Sequence, residues 1–385
     1  MIMKEPIMGT TGPFSFRCTH TDATGARRGV LTTGHGTVQT PVFMPVGTAA
    51  AVKTMTPEAL RRGGAQMILG NTYHLFLRPG HERVARLGGL HRFMSWDGPI
   101  LTDSGGYQVF SLGKLRRIRE EGVSFRSHID GSPCFLSPEI AVAIQHALGS
   151  DVMMQFDECT PYPAARDYVA RSMELSLRWA LRCRDACPEG ATLFGIMQGG
   201  MHQDLRTLSA QALVEMDFPG YAIGGVSVGE PKELMYEVLS YAPALLPADR
   251  PRYLMGVGKP EDLVEGVAAG VDMFDCVLPT RNGRNGQMFV PWGVINIKQA
   301  RYREDPRPPD VNCGCDTCRQ FSRAYLHHTF RQGEILALHL MTQHNLYYYS
   351  SLMATMRAAI EAGQFAAFRN TFNTIRHAGE ELDVL

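Results

Sequence analysis

Apolar and polar positions along the chain alternate between two periods. After residue 40, short apolar runs of four to six residues recur, each followed by a stretch in which apolar side chains return every three or four positions. The first pattern suits a strand buried on both faces and the second an amphipathic helix. Eight runs read as strands: Pro41 to Val46, Gln66 to Gly70, Pro99 to Thr102, Asp151 to Phe156, Thr192 to Met197, Gly220 to Ile223, Arg252 to Met255 and Val271 to Phe274. Helices are predicted over Pro57 to Arg62, His81 to Leu87, Pro138 to Leu148, Ala165 to Ala186, His202 to Met216, Pro231 to Tyr241 and Pro260 to Ala269. Ser137-Pro138-Glu139 places a capping hydroxyl before a proline at the first helical position. Glu261 and Asp262 put early acids where the helix dipole favours them.

Eight strands alternating with helices predict an α/β fold, a (β/α)8 TIM barrel with an insertion after the third strand, Phe110 to Ser137. An open doubly wound sheet is the second choice. It wants a glycine-rich phosphate turn after the first strand, and Val46-Gly47-Thr48-Ala49 is not one. Before residue 41 the alternation is that of short extended pieces, Phe14 to Cys18, Gly29 to Thr32 and Thr37 to Thr40. The expected organisation is therefore an N-terminal β layer over 14–40 and a catalytic barrel over 41–290. Residues 291–385 are expected to form a zinc-binding subdomain with C-terminal helices.

Composition narrows the classes. The chain has 385 residues, 44% hydrophobic and 20% charged, with 38 basic against 38 acidic side chains. No global field draws a polyanion, so a nucleic-acid site has to be a local patch. One is available: from Arg281 to Arg331 there are nine Lys or Arg against four Asp or Glu. Arg116, Arg117 and Arg119 in the insertion can add to it. A solvated face explains such a patch equally well. No apolar run approaches about 18 residues, so no membrane-spanning helix is expected. Met1 to Pro13 lacks the basic-then-apolar pattern of a secretory signal, and most of the nine cysteines are scattered singly. A reducing cytoplasm is expected.

Candidate chemistry lies at the strand ends. The third strand runs into Asp103-Ser104-Gly105-Gly106-Tyr107-Gln108, the fourth into Asp157-Glu158-Cys159 and the fifth into Gln198-Gly199-Gly200. The sixth runs into Gly224-Gly225-Val226-Ser227-Val228-Gly229-Glu230, the seventh into Met255-Gly256-Val257-Gly258-Lys259, the eighth into Asp275. Barrel active sites are built from these ends. Ordinary βα turns account for the glycines but less well for Gln198 and three separate aspartates. The stretch Asp272 to Gly286 carries two carboxylates on a strand-like run. Pro279 is expected to break regular structure there, leaving Arg281 and Arg284 on a turn suited to phosphate.

Cys313-Gly314-Cys315-Asp316-Thr317-Cys318 places three thiols within six residues. With one histidine they make a closed Cys3His set suited to one structural Zn2+. His327, His328 and His339 are near. His344 is the preferred fourth ligand because it follows a helical run, Gln320 to Leu340, where a loop can hold it.

Read together, these motifs closely resemble the bacterial tRNA-guanine transglycosylases, in order, from about Phe14 to the C-terminal helix. The resemblance implies exchange of the wobble guanine of tRNAs with G-U-N anticodons for 7-aminomethyl-7-deazaguanine (preQ1), on the route to queuosine. It implies Asp275 as nucleophile on ribose C1′ and Asp103 as general acid/base. Asp157, Gln198 and the Gly225 N–H are implied to read the guanine edge, with Tyr107 and Met255 sandwiching the base. Glu230 with the Val226-Ser227 peptide is implied to read the 7-substituent, although the family more often has Leu-Ala in that turn. Cys159 and Val228 match the bacterial type, which takes the small precursor. Arg281 and Arg284 are implied to grip the anticodon loop. A homodimer is implied through Phe93, Phe321, Tyr325 and His328, with Phe321 standing where Trp is often found. Two other classes compete: a barrel glycosidase acting on sugars, and a non-catalytic RNA-binding subunit.

Overall fold

The structure, a computed structural model, describes residues 14–111 and 116–379. Positions 112–115 of the expected insertion, and the Met1 to Pro13 stretch read for an export signal, lie outside the described residues.

The described residues open with an antiparallel sheet, β1 (Ser15–Thr21), β2 (Arg27–Thr33) and β3 (Gly36–Thr40). Barrel strands β4 (Val42–Gly47), β5 (Ile68–Gly70) and β6 (Ile100–Thr102) follow. An inserted antiparallel sheet comes next, β7 (Arg116–Arg119), β8 (Gly122–Arg126) and β9 (Pro133–Leu136). The barrel resumes with β10 (Val152–Met154), β11 (Leu193–Met197), β12 (Tyr221–Ile223), β13 (Arg252–Leu254) and β14 (Met273–Cys276). It closes where β14 pairs with β4 in parallel, Phe274 opposite Phe43 and Asp275 opposite Met44. The eight expected strands are present, most with bounds moved by one or two residues.

Strand alternation divides the core in two. Inward residues, among them Val42, Met44, Leu69, Leu101, Met154, Phe194, Ile196 and Met273, fill the barrel. Outward residues such as Phe43, Ile68, Ile100, Met153, Leu254 and Phe274 pack under the helices. The N-terminal sheet plugs the bottom of the barrel: Leu31 and Val38 join the interior cluster, and the Phe14 ring meets Phe194 edge-on at 5.6 Å. It is also tied there by polar contacts. Asp272, at the foot of β14, is fully buried and receives Arg27 Nε at 3.2 Å and Arg252 N at 2.8 Å. Asp151, at the foot of β10, receives His35 Nδ1 at 2.8 Å, His91 Nε2 at 3.1 Å and Ile100 N at 2.8 Å. The two imidazoles stack at 3.5 Å and 13°. Parallel rings cannot aim both nitrogen lone pairs at one ion without splaying, so this trio reads as a carboxylate-centred tie between β layer and barrel.

Two expectations are corrected. Pro279 does not end regular structure; it sits in the first turn of a helix, Leu278–Arg284, where its missing N–H has no intrahelical partner to lose. The single helical run Gln320 to Leu340 is three helices, Asp316–Gln320, Arg323–Arg331 and Ile335–Glu361. Extended Phe321 and the Ser322 cap, whose hydroxyl accepts from Tyr325 N at 3.2 Å, make the first break. Gly333, at φ +76°, makes the second. His344 is therefore inside the 27-residue helix Ile335–Glu361 and not in a loop. That helix covers the barrel seam: Tyr349 packs against Phe43 at 4.7 Å and donates to Gly258 O at 2.5 Å. Three short helices carried too little periodicity to be foreseen, Thr72–Leu77, Gly89–Met94 and Gly106–Ser111. Among the described residues no helix is long and apolar enough to cross a membrane.

Candidate active site

The C-terminal ends of the barrel strands surround a cavity of about 730 Å³. Asp103, Asp157 and Asp275 line it with Gln198, Gly225, Val226, Glu230, Cys159, Val228, Tyr107, Met255 and Arg281. Arg284 lies one helical turn beyond Arg281, outside this lining, and its Nε donates to Thr280 O at 3.2 Å. Asp272 stands at the opposite end of β14, so of the two carboxylates on that run only Asp275 reaches the mouth.

Asp103 and Asp157 are buried and Asp275 is half-buried, and each is differently held. Asp103 Oδ1 accepts from Thr72 N at 2.8 Å and Gly105 N at 3.2 Å, and Oδ2 from Asn71 Nδ2 at 2.6 Å and Gln108 Nε2 at 2.7 Å. Burial nevertheless raises its pKa, outweighing these donors, and the nearby Asp275 charge adds to the rise. Asp275 Oδ1 accepts from Tyr253 OH at 2.6 Å and Gly256 N at 2.8 Å. Among the described residues no hydrogen bond falls on its Oδ2. Burial raises the Asp275 pKa as well. Asp157 accepts from Gln198 Nε2 at 2.6 Å and Ser104 Oγ at 3.2 Å. Burial lifts its carboxyl to about 6, against those two hydrogen bonds and with help from Asp103 and Glu158.

Gln198 Oε1 is buried without a hydrogen-bond partner, a polar atom that a bound molecule can satisfy. It stands directly beneath Gly225, where an added Cβ would lie 2.5 Å from it. In the next turn the Glu230 carboxylate accepts from Ser227 N and, at 2.8 Å, from Val228 N. These bonds hold Ser227 at φ +60°, unusual for a residue other than glycine. The Ser227 N–H faces Glu230, so the Val226 carbonyl of the same planar peptide points the other way. Tyr107 is 57% exposed, an aromatic face left open at the rim, and Met255 is half-buried. The Cys159 thiol is buried and pushed up to about 12, so it is neutral at physiological pH.

Sequence reasoning gave no role to Asn71, Thr72, Ser104, Tyr253 or Arg206. The first two follow β5 directly, and the strand-end rule applied to that strand would have found them. Ser104 lay within a motif already noted. Tyr253 and Arg206 gave no local signal: one looks like a strand aromatic, the other like a surface charge on an amphipathic helix.

Away from the cavity, Cys313, Cys315, Cys318 and His344 bring their ligand atoms within 4.8 Å of one another. His344 Nδ1 is 3.7, 3.6 and 3.3 Å from the three sulfurs in that order. A tetrahedral ion with bonds of about 2.0–2.3 Å sets its ligands roughly 3.3–3.8 Å apart, so the donor set fits a bound metal. His344 Nε2 lies 2.7 Å from Phe289 O, an outer contact that fixes the ring and leaves Nδ1 to the metal. Next in the helix, Asn345 Nδ2 donates to Pro279 O and Gln287 O, both at 2.9 Å. The Cys3His unit thus grips the short helix that follows Asp275 and carries Arg281.

Comparison with known proteins agrees over nearly the whole length. The profile of a family described as Queuine tRNA-ribosyltransferase matches residues 22–378. A queuine tRNA-ribosyltransferase of Pelotomaculum thermopropionicum is 60% identical over 360 residues, covering 93% of this chain and 97% of the relative. One from Cereibacter sphaeroides is 59% identical over 372 residues, covering 96% and 99%. One from Azoarcus sp. is 59% identical over 358 residues, covering 92% and 97%. With a barrel, a three-aspartate mouth and this extent of identity, the chain belongs to the queuine tRNA-ribosyltransferase family.

Proposed function

We propose that this pentosyltransferase exchanges the wobble guanine of G-U-N anticodon tRNAs for preQ1 through a covalent Asp275–ribose intermediate, as a step of queuosine synthesis. The observation that carries the reading is the convergence of Asp103, Asp157 and Asp275 on one cavity with Gln198, Gly225, Tyr107 and Met255. A sugar hydrolase has no use for a purine-edge set, and a non-catalytic subunit has no use for the acids.

The wobble nucleotide leaves its stack and enters the cavity, its base held between Tyr107 and Met255. The ionised Asp157 accepts from N1–H and the 2-amino group, while Gln198 and the Gly225 N–H donate to O6. Asp275 Oδ2 attacks ribose C1′ as the C1′–N9 bond breaks, and the bonding electrons leave with the base. Asp103 delivers a proton to the departing guanine and takes one from the incoming base. The preQ1 nitrogen then attacks C1′ and expels Asp275. The aminomethyl cation of preQ1 donates to the Val226 carbonyl, with the Glu230 carboxylate behind it. Cys159 and Val228 leave room for this small substituent.

Arg281, exposed at the mouth, binds anticodon-loop phosphate, and Arg284 extends the grip along the same helix face. Zn2+ is the ion of the Cys3His set and has a structural role. A homodimer forms through exposed Phe93, Tyr325 and His328 with Phe321, whose ring stacks on Tyr325 at 5.1 Å. Nine cysteines with no disulfide among them suit a cytoplasmic setting.

Labelled guanine and unmodified tRNA test the activity. Label enters the tRNA if base exchange occurs, and preQ1 added afterwards blocks further entry; tRNA that stays unlabelled argues for the glycosidase alternative. Asp157 adds a pH test. Base binding requires its ionised form, so guanine affinity is expected to fall roughly tenfold per pH unit below about 6. Asp157→Asn should bind guanine weakly with no such slope, and a wild-type affinity flat from pH 7 to 5 counts against the assignment. The stability effect has a definite sign. The folded-state pKa lies above the unfolded value of about 3.9, so the unfolded chain loses this proton first. This group therefore lowers stability progressively as pH rises from about 4 to 6, and changes it no further above that.

A further inference from the structure

Arg206 stands on the helix Gln203–Glu215 and is completely buried. Among the described residues its hydrogen bonds all go to main-chain carbonyls. Nε donates to Gly200 O at 2.7 Å, Nη1 to Met197 O at 3.4 Å, and Nη2 to Gly224 O at 2.9 Å and Gly225 O at 3.4 Å. Among the described residues no carboxylate pairs with it. Burial pushes the guanidinium down to about 10, so it remains a cation at neutral pH.

A buried cation with no counter-ion costs several kcal/mol of lost hydration, and an apolar side chain would fill the same volume at less cost. What the guanidinium supplies is a rigid fork of donors reaching two turns at once. Met197 and Gly200 flank Gln198 on the turn after β11. Gly224 and Gly225 form the turn after β12. Gly199 makes the approach possible, since a Cβ there would lie 2.8 Å from Arg206 N. The Gly224–Gly225 peptide is trans. Fixing its oxygen on the Arg206 side therefore turns the Gly225 N–H to the opposite side.

We propose that Arg206 is a positioning residue for base recognition: by holding the Gly224 carbonyl it aims the Gly225 N–H at the 6-oxo group of a bound purine. The proposal rests on the reading of Gly225 as the O6 donor given above. It assigns Arg206 no contact with the base itself.

The test uses the full-length protein and compares binding of guanine with 6-thioguanine, which keeps the N1–H and 2-amino donors and replaces O6 by a weak acceptor. Wild type is expected to prefer guanine about tenfold, the scale of one well-placed hydrogen bond. Arg206→Lys and Arg206→Gln should lower that ratio severalfold, the Gln198 donor keeping a residual preference, with 6-thioguanine affinity nearly unchanged and Lys the milder of the two. Equal losses for both bases, or an unchanged ratio in folded variants, overturn the proposal. A wild-type ratio already near one removes the O6 reading beneath it, and is distinguishable because no variant is involved. Should neither variant keep the wild-type melting temperature, arginine-labelled wild type carries the test by NMR. Arg206 should show separately resolved Nη signals, slow in rotation, that shift more with guanine than with 6-thioguanine. A freely rotating or ligand-insensitive guanidinium overturns the assignment.

Discussion

Asp275→Asn is expected to leave no covalent tRNA adduct on a denaturing gel and to lower kcat for base exchange on the order of 10³-fold or more, the scale on which loss of a nucleophile acts. The geometry makes this substitution informative. Tyr253 OH and Gly256 N both donate to Oδ1, at 2.6 and 2.8 Å, so an amide oxygen in that place keeps both partners. The replacement removes the Oδ2 proposed as nucleophile and almost nothing else. Burial raises the Asp275 pKa, so the ionised carboxylate is held at a cost that a neutral amide avoids. The variant should therefore melt no lower than wild type and still bind tRNA through Arg281. An adduct of undiminished yield would falsify the nucleophile assignment. Lost activity together with a lower melting temperature would instead mean that Asp275 acts through the fold.

Cys318→Ala is expected to carry the second largest effect, on stability. Structural zinc contributes directly to folding, with binding energies of about 10–16 kcal/mol in small zinc peptides. The donor set here joins a tight turn to the middle of the helix Ile335–Glu361 through His344. The same helix reaches Pro279 through Asn345 and packs Thr342 on Gly283, where even a Cβ would lie 2.8 Å from Thr342 N. Loss of one sulfur should empty the site and loosen that seam. Bound zinc should fall from one per chain to near none, with a melting temperature lower by roughly 10 °C or more. Activity should fall too, because the loosened helix carries Arg281 and follows Asp275. A metal-free variant with wild-type melting temperature and tRNA affinity contradicts the stapling role.

Local patterning made the barrel legible. A run such as Thr192 to Met197 is apolar on both faces and short, and no other element of a soluble chain has that pattern followed so regularly by amphipathic stretches. The strand-end rule then placed most of the candidate site without coordinates, because β-strand direction dictates which end of each run faces the mouth. The same reasoning failed where one residue's neighbours lie far along the chain. Pro279 reads as a breaker until its position in the first turn is known. The 320–340 run reads as one helix until Phe321 is seen extended, capped out by Ser322. Asp272 and Asp275 read alike as acids on one strand, yet Arg27 neutralises the first at the closed end and the cavity takes the second.

What the sequence alone determined was the order of elements, the barrel, and which residue types stand at each strand end and in the cysteine turn. These follow from short-range periodicity and from chemistry carried within a few residues. Tertiary structure alone decided how those groups are held: Tyr253 on Asp275, Asn71 and Gln108 on Asp103, His344 inside a helix, and Arg206 beneath two turns that it joins. Each of these depends on a partner distant in the chain and on burial. Burial converts an ordinary carboxylate or guanidinium into one whose protonation and direction are set by its surroundings, and no local pattern records which surroundings those are.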